Sequence, residues 1–247
     1  MSPFVDEGLC WLAIFVAGWV RGYAGFGFSA VSIGLISLWR APSALVPIIF
    51  LLEVPASLLL LRQALRDYNP RWVKSLMGGS VIGIPLGVGL LSSLRGPWLQ
   101  LLVTAIICGA SLLVRLDVHP RQADTSAYRW LTGLVSGILN GISALGGMAC
   151  AVMVYSVSIA PHALRATLTL LFLFTDVYGL LLAGLGGLVH PAMLYTAAWW
   201  LLPMALGIAG GSRYFHASDL SRFRSRVFAL LTVLGAIGFA KALLALL

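Results

Sequence analysis

The sequence predicts an all-α integral membrane protein made of two inverted repeats, each a re-entrant helical hairpin followed by three transmembrane helices. Three observations predict it. Hydrophobic residues make up 60% of the chain and charged residues 10%, with a mean hydropathy of +0.98, whereas a soluble domain carries about 25% charged residues. Gly18, Gly22, Gly27, Ala41 and Pro42 recur as Gly137, Gly141, Gly146, Ala160 and Pro161, each 119 positions later and without a gap, which is an internal duplication. The basic residues of the loops, finally, divide unequally between the two faces once the chain is threaded through a bilayer.

The first element is the stretch 10–42. Its N-terminal flank, MSPFVDEG, is acidic where a signal peptide needs a basic region, so the first apolar segment is expected to be retained. The stretch has roughly 30 apolar residues, about 45 Å as one helix, against a hydrocarbon core of about 30 Å. It is too long for one untilted span and too short for two. The glycine cluster at its centre is where a helix would break, and a hairpin folded at Gly22–Gly27 is expected. Spans follow at 43–61, 72–94 and 98–114, each an apolar run between turn signals. The second repeat takes the same form, with a hairpin at 129–161 folded near Ala144–Gly147 and spans at 166–188, 192–210 and 227–246. The repeats are thus 1–117 and 118–247.

Charge fixes the threading. If each interrupted stretch crossed once, seven loop basic residues would fall on each side. If each enters and returns on one side, Arg62, Arg66, Arg71, Lys74, Arg115, Arg121, Arg129, Arg165, Arg213, Arg222, Arg224 and Arg226 share a face, with Arg40 and Arg95 opposite. The positive-inside rule selects the second arrangement, with both termini outside the cytoplasm. Each repeat then crosses an odd number of times, so the repeats are inverted and the hairpin tips should meet near the midplane. A net charge of +8 is explained by these loop arginines, not by nucleic acid. Cys10, Cys108 and Cys150 are isolated, with no CxxC spacing, and read as apolar packing residues. The four histidines form no metal spacing, and no cofactor is expected. Lys241 is expected to snorkel to the outer surface without a role.

GWVRGYAGFGFSAV and GLVSGILNGISALGGMACAV, each followed by an apolar run and an Ala-Pro turn, resemble the duplicated motif of the sulfite exporter TauE/SafE family of membrane transporters. The resemblance covers nearly the whole chain. It implies a multi-pass protein of the bacterial inner membrane that moves sulfite, sulfonates or related small anions, often outward. Two departures stand out: Phe26 and Phe28 replace part of a longer glycine run, and Asn140 stands where the first motif has Arg21.

The residues themselves point to an anion. A return helix that starts inside the membrane aims free N–H groups and its positive dipole end at the centre. The expected substrate-binding set is Arg21, Gly22, Tyr23, Gly25, Gly27 and Ser29 at the first tip, and Asn140, Gly141, Ser143, Gly146 and Gly147 at the second. The glycines alternatively serve close helix packing. Arg21 suits a sulfonate, sulfite or carboxylate, or alternatively pairs with Glu53 in the next helix. Glu53 and Asp176, in the first full span of each half, are candidates for proton coupling or counter-charge. Their positions after Pro42 and Pro161 differ by about one helical turn. Two other classes remain open. A phosphatase of polyprenyl phosphates would want a nucleophile with an acid or base beside the arginine, and no such local cluster surrounds Arg21. A passive anion channel would want an open aqueous path, whereas Trp19, Tyr23, Phe26 and Phe28 crowd the tip.

Overall fold

The structure is a computed structural model and describes residues 3–94, 98–99, 101–106, 109, 125–147, 150 and 160–214. Its principal helices are α1 (Pro3–Ala24), α2 (Phe28–Ile36), α3 (Pro42–Asp67), α4 (Pro70–Ser93), α5 (Ser126–Ser143), α6 (Pro161–Leu185) and α7 (Pro191–Tyr214). α3, α4, α6 and α7 are long and apolar enough to cross a membrane. They carry outward-facing side chains such as Leu58, Leu59, Leu181, Leu185, Leu202 and Leu206. Such a surface suits hydrocarbon and not water. The expected span 227–246, part of 98–114, Cys108, Lys241 and most of the second return arm lie outside the described residues.

Local chemistry sets the boundaries. Each of the four long helices opens with a proline, whose missing N–H costs nothing in a first turn. Asn69 caps α4 by accepting from the N–H groups of Arg71 and Trp72 at 3.1 and 3.3 Å. Because α6 begins at Pro161, five residues before the expected span, Arg165 belongs to a helix and not to a loop. α3 similarly runs on through Arg62 and Arg66 to Asp67.

The first interrupted stretch turns at Gly25 and Gly27, with φ of 83° and 93°, and α2 packs back on α1. The return is complete by Arg40, which donates to Asp6 at 2.6 Å and to Glu7 at 3.3 Å. Glu7 also accepts from the Trp200 indole at 2.7 Å. The Arg40 hydrogen bond holds the Asp6 carboxyl below the ordinary carboxylate range. In the second stretch the break falls at Ala144, which takes the left-handed conformation (φ 54°) at the position equivalent to Gly25. Both breaks close alike: Gly25 N–H donates to Arg21 C=O at 2.8 Å, and Ala144 N–H to Asn140 C=O at 2.7 Å.

Packing is exchanged between the halves. α1 lies along α7, α5 along α4, and α3 against α6. In both long seams glycines bring backbones into contact. A Cβ on Gly18 or Gly22 would overlap the backbone of Met204 or Ile208, and one on Gly207 or Gly211 the backbone of Phe15 or Trp19. Gly79, Gly83 and Gly87 meet Gly133, Gly137 and Gly141 in the same way across α4 and α5. Contacts advance together along each pair, so the paired helices run parallel. With lipid outside and no water to expel, this close backbone approach is the main attraction available to such helices.

Candidate functional site

The ends of α1 and α5 converge on a cavity of about 10 Å³, bounded by Arg21, Gly27, Ser29, Glu53, Asn140, Gly147, Phe172 and Asp176, with Ala30, Ala144 and Leu145. That volume holds about one water molecule. Arg21 is 1% exposed, Glu53 3%, Asn140 2% and Asp176 2%. Four strongly polar side chains thus meet inside an otherwise apolar bundle.

Arg21 forms an ion pair with Glu53. Its other terminal nitrogen donates to the Ser57 hydroxyl at 2.6 Å, and its guanidinium carbon stands 4.9 Å from the Phe172 ring centre. Its Nε has no hydrogen-bond acceptor among the described residues. Ser29, in the first turn of α2, donates to the second oxygen of Glu53 at 2.5 Å. Asn140 donates to Asp176 at 3.0 Å. The Glu53 and Asp176 carboxylates are close enough to influence each other electrostatically.

These two clusters are related by the same 119-residue step as the glycines. Arg21 maps to Asn140 and Ser57 to Asp176, so the Arg21–Ser57 and Asn140–Asp176 hydrogen bonds are equivalent. Glu53 maps to Phe172, and both contact Arg21, one by charge and one by its ring face. Matching Glu53 with Asp176 therefore missed the register by a helical turn. The two carboxylates reach one cavity from different levels.

Of the expected site residues, Arg21, Gly27, Ser29, Asn140, Gly147, Glu53 and Asp176 bound the cavity. The others lie elsewhere. Gly22 and Gly141 face the helix seams, and Tyr23 is buried beside Gly211. Gly25 makes the turn under the Arg165 side chain, Gly146 accepts from Ser136 at 2.8 Å, and Ser143 bonds back to Leu139 at 2.9 Å. Sequence reasoning missed Ser57 and Phe172, which the 119-residue step applied to Asp176 and Glu53 would have found. It also missed Arg165, whose guanidinium donates to the Gly22 carbonyl at 2.6 Å. That carbonyl is one of the last four of α1, which lack intrahelical partners, and an arginine is well suited to such an end.

The first turn of α2 has no side-chain cap, and two of its residues, Ser29 and Ala30, bound the cavity. Its free N–H groups and positive dipole end favour a negative group there. The Glu53 carboxylate, which accepts from the Ser29 hydroxyl in that first turn, is the negative group beside it. The equivalent return helix is described at Gly146 and Gly147.

The model of one protein family, described as Sulfite exporter TauE/SafE, matches residues 10–238. No curated protein and no solved structure matches the chain. A match over nearly the whole sequence, on a bundle of apolar helices with polar groups gathered at its broken-helix tips, means that the chain belongs to the sulfite exporter TauE/SafE family, a family of membrane transporters and not of enzymes.

Proposed function

We propose that this chain exports sulfite or a small organosulfonate across the bacterial inner membrane by alternating access about the Arg21–Asn140 cavity. The observation that carries the reading is the buried arginine beside an uncapped helix N-terminus, with hydrogen-bonding groups from both halves around it. A charge at that depth is costly unless it is paired, and a planar guanidinium fits the oxygens of a sulfur oxyanion. Glu53 occupies Arg21 until substrate arrives. Protonation of Glu53 releases the guanidinium, and the oxyanion takes the carboxylate's place, with Ser29, Asn140 and the α2 amides completing its shell. Asp176 is the second group able to carry a proton.

The inverted relation of 1–117 and 118–247 supplies the two access states, one repeat rocking against the other. The basic loops lie on the cytoplasmic side and both termini on the other. A cell interior negative by 100 mV favours exit by about 2.3 kcal/mol per elementary charge, so export needs no compulsory cation coupling. A cavity with room for about one water molecule supports a gated carrier over a passive channel.

Purified protein in proteoliposomes tests the reading against sulfite, thiosulfate, sulfoacetate, taurine and acetate. Flux should saturate and should favour sulfite or a sulfonate over acetate. Non-saturable flux of every anion would mean a channel, and absence of flux and binding for all five would refute the proposal.

A further inference from the structure

A second cavity, of about 220 Å³, opens where the end of α3 meets the start of α6. Its polar walls are Gln63, Arg66 and Asp67 from α3 and His162, Arg165 and Thr169 from α6. Two arginines against one aspartate leave it cationic, and a neutral or protonated His162 keeps it so. It is large enough for a sulfur oxyanion that still carries water, whereas the central cavity admits about one water molecule.

Arg165 reaches from this cavity to the hairpin tip: it lines the cavity, donates to the Gly22 carbonyl, and lies across Gly25, where a Cβ would overlap its Cγ. Gly22 adjoins Arg21 in the chain, and the Arg165 and Arg21 charges are near enough to repel. The guanidinium therefore holds the end of α1 in place.

We propose that this larger cavity is an oxyanion capture site with Arg66 and Arg165 as its ligands, and that an anion bound there draws Arg165 away from Gly22 and unlatches the hairpin tip. The inference rests on the oxyanion transport proposed above and adds a site, a gate and an order of events to it. An oxyanion is a stronger acceptor for a guanidinium than a neutral carbonyl is, and it can engage both nitrogens at once. Once Arg165 moves, the α1 end loses its cap and Arg21 becomes reachable from the larger cavity.

Equilibrium dialysis with radiolabelled sulfite on the purified full chain, paired with proteoliposome kinetics, tests this. Arg66→Gln and Arg165→Gln should each weaken sulfite binding by about tenfold or more, the usual scale for losing a charge-assisted hydrogen bond. Arg66→Gln should raise KM and leave kcat unchanged. Arg71→Gln, an exposed change at the same end of the bundle but outside the cavity, should alter binding less than twofold. Equal weakening by all three would mean a diffuse basic surface and would overturn the site, as would unchanged binding in Arg66→Gln. If Arg165→Gln does not fold, the exposed Arg66→Gln decides alone. Wild-type protein that transports sulfite with no such sensitivity refutes the capture site and spares the transport reading. Wild-type protein that neither binds nor moves sulfite refutes both.

Discussion

Removing one member of the Arg21–Glu53 pair tests how far the bundle depends on its polar centre. Both side chains are almost fully buried, and each also holds a hydroxyl partner, Ser57 for the arginine and Ser29 for the carboxylate. Arg21→Gln leaves Glu53 charged and bonded to Ser29 alone. Breaking a buried pair from one side costs about 3–5 kcal/mol, because the surviving charge keeps its desolvation penalty. On a chain of this size that is a loss on the order of 10 °C in unfolding temperature. Glu53→Gln should cost a similar amount by stranding Arg21. The double variant should recover at least about 2 kcal/mol of the summed losses, since it leaves no uncompensated charge. Thermal unfolding of the four proteins in one detergent supplies the cycle. Strictly additive losses would show that the two side chains do not depend on each other and would refute the argument.

Three further outcomes follow from packing and threading. Gly83→Leu should abolish stable folding, because its Cβ meets the Leu134 carbonyl in the α4–α5 seam, whereas Gly89→Leu, with open space around it, should fold normally in size-exclusion chromatography. Gly25→Ala should lower the unfolding temperature through overlap with Arg165 as well as its positive φ, while Ala144→Gly at the equivalent turn should be tolerated within about 1 kcal/mol. A cysteine placed between Arg66 and Lys74 should be shielded from impermeant thiol reagents in intact cells, and one before Gly8 should be labelled; the reverse pattern would invert the proposed orientation.

The helix breaks were legible because a glycine cluster in the middle of an overlong apolar stretch has few other uses. The left-handed backbone of Ala144 within the second break was not, since nothing in an alanine announces a positive φ. The same duplicated glycines turned out to do two jobs that sequence alone could not separate. Gly18 and Gly22, with Gly137 and Gly141, make the seams, Gly27 belongs to the first turn, and Gly146 opens the second return helix. Their partners Gly79, Gly83, Gly87, Gly207 and Gly211 carry the same four-residue spacing, which in sequence alone does not say which helix packs on which. Arg21 with Glu53 was visible as one of two options, since both are expensive in a bilayer and lie in consecutive segments. Arg165 was hidden by a boundary: placed in a loop, it counted toward topology, and only the earlier start of α6 turns it inward to Gly22.

The charge balance of the central cavity decides what must happen when an anion enters. Arg21, Glu53 and Asp176, all ionised, sum to one negative charge around a space of about 10 Å³. A further anion 4 Å from either carboxylate would meet a repulsion of about 4 kcal/mol at an effective dielectric of 20. Attraction to Arg21 cannot offset this while Glu53 already holds that guanidinium. Either a proton neutralises a carboxylate or the anion stays out. Glu53→Gln imitates the protonated state without needing the proton. In the folded fraction of that variant, sulfite should bind about tenfold more tightly than in wild type at neutral pH. Asp176→Asn removes a charge but leaves Glu53 on Arg21, so it should bind sulfite more weakly than Glu53→Gln does. Weaker sulfite binding in Glu53→Gln would mean that the carboxylate holds Arg21 in its binding position and does not compete for it, and the exchange of Glu53 for substrate would have to be abandoned.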